Sequence, residues 1–197
     1  MLLVVRELLF GPKRFTDLRA GLPHLSPDVL SQRLRELEEA GILVRRKLAP
    51  PAGSRVYELT RRGRELEAVI IALGRWGSVA PPHPRDAELG VDAAILALKT
   101  LFEPSAADGL DASYELKLGE SAFSARVADR RLEIARGSPD TPDATIETGP
   151  ATLATVLWHG RAPAEAQRSG ELVLEGDRKA IERFFTLFPL PRPAGSP

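Results

Sequence analysis

The chain has 197 residues, 27 Lys and Arg against 27 Asp and Glu, 43% hydrophobic residues and no cysteine. Those values exclude whole-chain disorder, a disulfide framework, Cys-based zinc sites and thiol catalysis, and the length suits one or two domains of roughly 100–200 residues each. The neutral total is unevenly spread: residues 1–78 hold 14 basic and 9 acidic side chains, a net of +5, while residues 79–197 hold 13 and 18, a net of −5. Chance sorting of surface charge is the plain reading, and a first half that meets a polyanion is the functional one.

The opening MLLVV is broken by Arg6 and Glu7 and has no basic leader, so it does not read as a signal peptide. No apolar run approaches the roughly 20 residues that span a bilayer. A cytoplasmic protein without membrane insertion is expected.

Leu2–Phe10 reads as a short apolar helix closed by Gly11 and Pro12, and Arg14–Ala20 as a second one followed by the turn GLPHL. Ser26 then caps a third helix with Pro27 at its first position, running to Gly41. Leu30, Leu34 and Leu37 share one stripe of it, and Asp28, Gln32, Arg35 and Glu39 point the other way, with Ser31 at the flank. Two strands follow, ILVRRKL and SRVYELT, joined by the turn APPAG and carrying Arg45, Arg46, Lys47 and Arg55. Thr60 caps a long helix to Gly77, with Leu66, Val69, Ile70 and Leu73 on one stripe. That apolar arc is wider than a solvated helix needs, so part of it is expected to be a homodimer contact.

Helix, tight turn, capped helix and basic hairpin in that order predict a winged helix-turn-helix. The third helix would enter the major groove of double-stranded DNA and the hairpin would touch phosphate. Ser26, Asp28, Ser31, Gln32 and Arg35 on the helix, and Arg45, Arg46, Lys47 and Arg55 on the wing, are the candidate DNA-binding residues. Taken singly, each is more often part of a solvated face; their order and spacing together carry the reading.

The segment VAPPHPRD, residues 79–86, is a proline-rich linker that closes a first domain of residues 1–78. Beyond it, 87–102 reads as an amphipathic helix. ASYELKLG, SAFSARVAD, RLEIARG and DATIETG alternate as strands. Two short helices, a strand ELVLEG and a final helix DRKAIERFFTLF capped by Asp177 complete a domain of residues 87–190, with a proline-rich tail at 191–197. The whole is α+β, the second domain being one antiparallel sheet covered by helices. His24, His83 and His159 are scattered, so no metal is expected, and no nucleophile elbow, phosphate loop or dinucleotide fingerprint is present. Neither an enzyme nor a cofactor is expected.

Residues 2–77 resemble the HxlR-type branch of the MarR-like bacterial transcription regulators, through VRELLFGPKRFTDL, LSPDVLSQRLRELEEAGIL and VYELTRRGRELEAVIIALGRWG. The resemblance implies a dimeric DNA-binding regulator with Ser26–Ala40 as recognition helix. Members of that branch carry a further helix ahead of the position of Leu2, often with a cysteine, that contributes to dimerisation. This sequence departs from the pattern there, and thiol-based redox sensing is not expected of it.

The stretch DATIETGPATLATVLWHGRAPAEAQRSGELVLEGDRKAIERFF resembles the sterol-carrier-protein-type lipid-binding domain. That implies an apolar cavity for a hydrophobic small-molecule ligand, with Leu157, Trp158, Phe184, Phe188, Tyr114 and Phe123 as candidate lining. For each of the six, ordinary core packing is the competing reading. Three functions stay open: a regulator whose second domain binds a hydrophobic effector, the same regulator with that domain as an assembly unit, and a lipid carrier whose winged helix contacts protein.

Overall fold

In the computed structural model, which describes residues 1–47, 53–79 and 89–191, the chain begins with helices α1 (Leu2–Leu8), α2 (Phe15–Gly21) and α3 (Pro27–Glu39). Strands β1 (Leu43–Lys47) and β2 (Arg55–Leu59) and the long helix α4 (Arg61–Ser78) follow. Backbone contacts divide the chain into two units, Met1–Leu73 and Gly74–Pro197, with the division inside α4. The expected linker lies outside the described residues except for Val79, and the expected tail except for Pro191.

The apolar stripes of the sequence become the core of the first unit. Val4, Val5 and Leu8 of α1, Leu18 of α2, Leu30, Leu34 and Leu37 of α3, and Leu43, Val56 and Leu59 of the hairpin are all buried. Ser26 caps α3 by accepting from Val29 N at 3.3 Å. At the other end Gly41 takes φ +67°, and the bonds Ile42 N to Leu37 O and Gly41 N to Glu38 O close a Schellman turn. That turn sends the chain straight into β1, which pairs antiparallel with β2 from Leu43↔Leu59 to Lys47↔Arg55. The expected hairpin turn lies mostly outside the described residues.

The second unit contains α5 (Val91–Leu101), a 3₁₀ turn (Pro104–Ala107), β3 (Ala112–Leu118), β4 (Ser121–Ala128), β5 (Arg131–Arg136), β6 (Ala144–Thr148), α6 (Pro150–Trp158), α7 (Pro163–Arg168), β7 (Leu172–Gly176) and α8 (Arg178–Phe184). The sheet order is β5-β4-β3-β6-β7. Alternation along β3 and β4 buries Tyr114, Leu116, Leu118, Phe123, Ala125 and Val127 on one face. Asp129 and Arg130, at φ 50° and 59°, make the tight turn between β4 and β5.

The sheet corrects the antiparallel expectation in one place. β6 runs parallel to β3, from Tyr114↔Ala144 to Leu118↔Thr148. Segment 137–143 crosses β4 and β3 instead of making a hairpin. It steps back only slightly along the strands, because β5 ends at Arg136, level with Phe123 and Leu116, and β6 begins level with Tyr114. The crossing is held by Ser113, whose N donates to Asp143 Oδ2 at 2.7 Å and whose hydroxyl donates to Thr141 O at 3.3 Å.

Two helices are shorter than expected. α5 begins at Val91 behind Gly90. α8 ends at Phe184 rather than continuing through Phe188. There Thr186 N bonds Arg183 O and Leu187 N bonds Phe184 O, and these i→i+3 turns aim Leu187 and Phe188 into the core. Asp177 caps α8, accepting from Lys179 N at 2.7 Å.

Gly63 near the start of α4 supplies a test of the first unit's packing. A Cβ there would sit well inside contact distance of the Ile42 carbonyl oxygen, whereas a Cβ at Gly77 meets nothing within 4 Å. Gly63→Ala should therefore destabilise by about 1–3 kcal/mol, the usual range for overpacking. Gly77→Ala on the same helix should be neutral or stabilising by up to ~1 kcal/mol. Urea unfolding of the two variants checks this, and equal midpoints would remove the packing argument.

Candidate functional site

Helix α3 puts its leucines inward, which leaves the opposite face to solvent. Asp28, Gln32 and Arg35 are exposed on that face and Ser31 is half-buried. Ser26 is exposed, and since its hydroxyl oxygen serves as the helix cap, its proton is left to donate outward. Arg35 makes no ion pair among the described residues. Gln32 is held differently: its Nε2 donates to Glu36 Oε1 at 3.0 Å. The other Glu36 oxygen accepts from Arg33 Nη1 at 2.7 Å. Hydrogen bonding from Arg33 holds the Glu36 carboxyl below the usual carboxylate range, with Gln32 adding to it.

The wing carries Arg45, Arg46, Lys47 and Arg55, all exposed. Arg46 pairs with Glu58 at 3.0 Å. Arg45 lies 5.2 Å from the centre of the Tyr57 ring and 3.9 Å from Glu38. Lys47 and Arg55 are directly opposite one another across the strand pair. Neither has an acidic partner among the described residues, and the intervening sequence LAPPA holds no acid. Like charges placed opposite in a hairpin repel, so an anion between them would relieve the strain.

The hairpin is anchored from behind. Lys13 and Tyr57 exchange backbone bonds at 3.0 and 2.8 Å. The Lys13 ammonium reaches Glu7 at 2.8 Å, and Glu7 is buried and also paired with Arg6 at 2.9 Å. Gly21 makes room for that carboxylate, since a Cβ there would collide with Glu7 Oε2.

Two features of this face escaped the sequence reading. Val29, 39% exposed, places an apolar group beside Gln32, and its only signal was a valine off the leucine stripe. The Arg33–Glu36–Gln32 link follows i,i+3 and i,i+4 spacing, but the sequence analysis singles out only Gln32 of the three.

In the second unit four of the six candidate lining residues, Tyr114, Phe184, Phe188 and Trp158, are linked by ring contacts or a hydrogen bond. Tyr114, Phe123, Phe184 and Phe188 are buried, while Leu157 and Trp158 are half-buried. Phe184 stands 5.2 Å from Tyr114 and 5.1 Å from Phe188, ring centre to ring centre. The Tyr114 hydroxyl donates to Ala180 O at 3.1 Å, and Trp158 Nε1 donates to Phe188 O at 3.0 Å. Burial first, with the nearby Asp143 charge, pushes the Tyr114 phenol up to about 12.

The two depressions described on this unit lie elsewhere. One of about 130 Å³ is bounded by Asp111, Asp143, Asp177 and Arg183, and an open one of about 400 Å³ follows the β5 edge at Leu132 and Ile134. None of the six residues borders either. Among the described residues no group of three or more metal-ligating side chains is gathered, and no helix is long and apolar enough to cross a membrane.

Comparison with known proteins matches residues 1–83 to the family described as HxlR-like helix-turn-helix. The HTH-type transcriptional regulator YvaP of Bacillus subtilis is 40% identical over 77 residues, which are 39% of this chain and 70% of YvaP. The HTH-type transcriptional regulator sll1512 of Synechocystis is 45% identical over 78 residues, 39% of this chain and 57% of that protein. The match thus spans little more than half of one relative and just over two thirds of the other. Among solved structures, the ubiquinone synthesis protein UbiJ-SCP2 aligns with 66% of this chain and 93% of its own, at 18% identity and a TM-score of 0.39. With the family match over residues 1–83 and 40% identity to a relative covered to 70% of its length, the chain belongs to the HxlR-like helix-turn-helix family.

Proposed function

We propose that the chain is a DNA-binding transcription regulator in which α3 reads the major groove and the β1–β2 hairpin holds phosphate. The opposed Lys47–Arg55 pair carries this reading, because two facing cations without an acid between them form a site for an anion. Gln32 and Arg35 reach base edges, Val29 meets a thymine methyl, and Ser26, Asp28 and Ser31 complete the helix face. Arg45, Arg46, Lys47 and Arg55 supply the sequence-independent term. The names of the relatives as transcriptional regulators agree with this.

The division of labour is testable. Arg35→Ala should cost roughly 1–3 kcal/mol on the preferred sequence and relax preference at one position. Lys47→Ala or Arg55→Ala should weaken all sequences alike and make the salt slope shallower by about 1. Titrations of specific and scrambled duplexes at several salt concentrations separate the two classes. Wing variants that lose base preference as strongly as Arg35→Ala would refute the assignment.

The regulator acts as a homodimer through the outward stripe of α4. Gly63 and Ile70 are buried and Leu66 is half-buried on one face of that helix. Val69, Leu73 and Trp76 stand 53%, 50% and 74% exposed on the other. Apolar residues at i, i+4 and i+7 that no other described residue covers make a self-complementary strip. Leu73→Asp should convert the dimer to a monomer in light scattering. A wild-type chain that stays monomeric at every concentration would refute the dimer.

For the second unit the interlocked rings around Phe184 support an assembly role above that of an effector pocket. The effector reading requires those rings to part, and it predicts that a hydrophobic molecule quenches Trp158 and raises the melting temperature by linkage. Fluorescence and melting screens with fatty acids, sterols and polyketide-like compounds decide it. Silence in both leaves the unit as a scaffold.

A further inference from the structure

We propose that Glu36 is a positioning residue that locks the side-chain amide of Gln32 in the orientation that reads adenine and rejects guanine. This rests on α3 being the element that enters the groove.

A glutamine amide carries two N–H donors on one side and one carbonyl acceptor on the other. Either end can face a base, so a free glutamine is a poor discriminator. Here one end is taken: Gln32 Nε2 donates to Glu36 Oε1 at 3.0 Å. Turning the amide over would set the Gln32 carbonyl against a carboxylate, acceptor against acceptor. The carboxylate keeps its charge, because Arg33 Nη1 bonds its second oxygen at 2.7 Å. An ionised carboxylate only accepts, so Glu36 selects the NH₂ end and excludes the flipped state.

What remains on Gln32 for a ligand is one N–H and one carbonyl. In the major groove adenine presents the N7 acceptor beside the N6 donor, which matches that remainder. Guanine presents two acceptors, N7 and O6, and would need two donors. One Gln32 donor is already committed, so guanine leaves an acceptor unmet. Arg33 also offsets the charge that a carboxylate brings near phosphates, so the lock does not by itself repel DNA.

The test is selection of binding sites by the full chain from a pool of random-sequence duplexes, which needs no known operator. The wild type should enrich a consensus containing an adenine column that Gln32→Ala flattens. Glu36→Ala should relax that same column, lowering the adenine-to-guanine ratio by about tenfold, and leave the other columns unchanged. Glu36→Gln, which keeps a carbonyl acceptor in place, should retain most of the preference. The double variant Gln32→Ala/Glu36→Ala should lose no more than Gln32→Ala alone.

A Glu36→Ala chain that keeps the column while Gln32→Ala erases it overturns the positioning role. So does a Glu36→Ala effect that is equal across all columns, which would mark a general loss of structure or charge. A consensus indifferent to Gln32→Ala removes Gln32 as a base reader and this inference with it; indifference to Arg35→Ala as well removes α3 as the reading element.

Discussion

The carbonyl oxygen of Ile42 is the point on which the first unit is built. It accepts Thr60 N at 2.9 Å and lies 3.1 Å from Thr60 Oγ1, a hydroxyl that also reaches Gly41 O at 2.8 Å. The same Thr60 oxygen accepts Gly63 N at 3.1 Å and so caps α4. Ile42 in turn is fixed by its N–H on Leu37 O, the last bond of the turn that ends α3. The end of α3, the start of β1 and the start of α4 therefore meet within a few bonds. Gly63 is glycine because a Cβ would press on that carbonyl. A helix that reads bases and a hairpin that grips phosphate must keep a fixed relation to work together, and rigid supports of this kind provide it.

Much of this was legible, because the signals were local. Ser26 with Pro27, Gly41 and Asp177 mark helix ends by their own chemistry, and each does so in the structure. The alternation in β3 and β4 gives the buried face directly. The parallel placement of β6 was not legible, since a strand with one buried face has the same pattern whichever way its neighbour runs. Only the register shows that the crossing at 137–143 is short enough. The early end of α8 was hidden for a related reason. Phe184, Leu187 and Phe188 satisfy a helical spacing, yet turns after Phe184 bury the last two more fully than another helical turn would announce.

The aromatic cluster shows where residue type loses its meaning. Tyr114, Phe184 and Phe188 suit the lining of an apolar cavity and the filling of one equally well. The difference lies in distances of 5.1 and 5.2 Å between ring centres, which put the Phe184 ring in direct contact with both of its neighbours. The hydroxyl of Tyr114 decides its own placement, because it needs an acceptor inside and finds Ala180 O. A lipid-sized guest that displaced Tyr114 would break that bond and leave the buried hydroxyl without its acceptor, as well as separate the rings.

The charge on α3 gives the proposed reading its logic. Pro27–Glu39 carries Asp28, Glu36, Glu38 and Glu39 against Arg33 and Arg35, a net of −2 on a helix meant to approach a polyanion. A basic helix would bind every duplex, and specificity is a difference between affinities, which unfavourable terms sharpen as well as favourable ones. On the proposed reading, a helix of that charge would hold back unspecific contact until Gln32, Arg35 and their neighbours meet the edges that suit them. On the same proposed reading the attraction is delegated to the wing, where Lys47 and Arg55 face each other without an acid among the described residues. Separating attraction from reading in this way makes a change in one measurable without a change in the other.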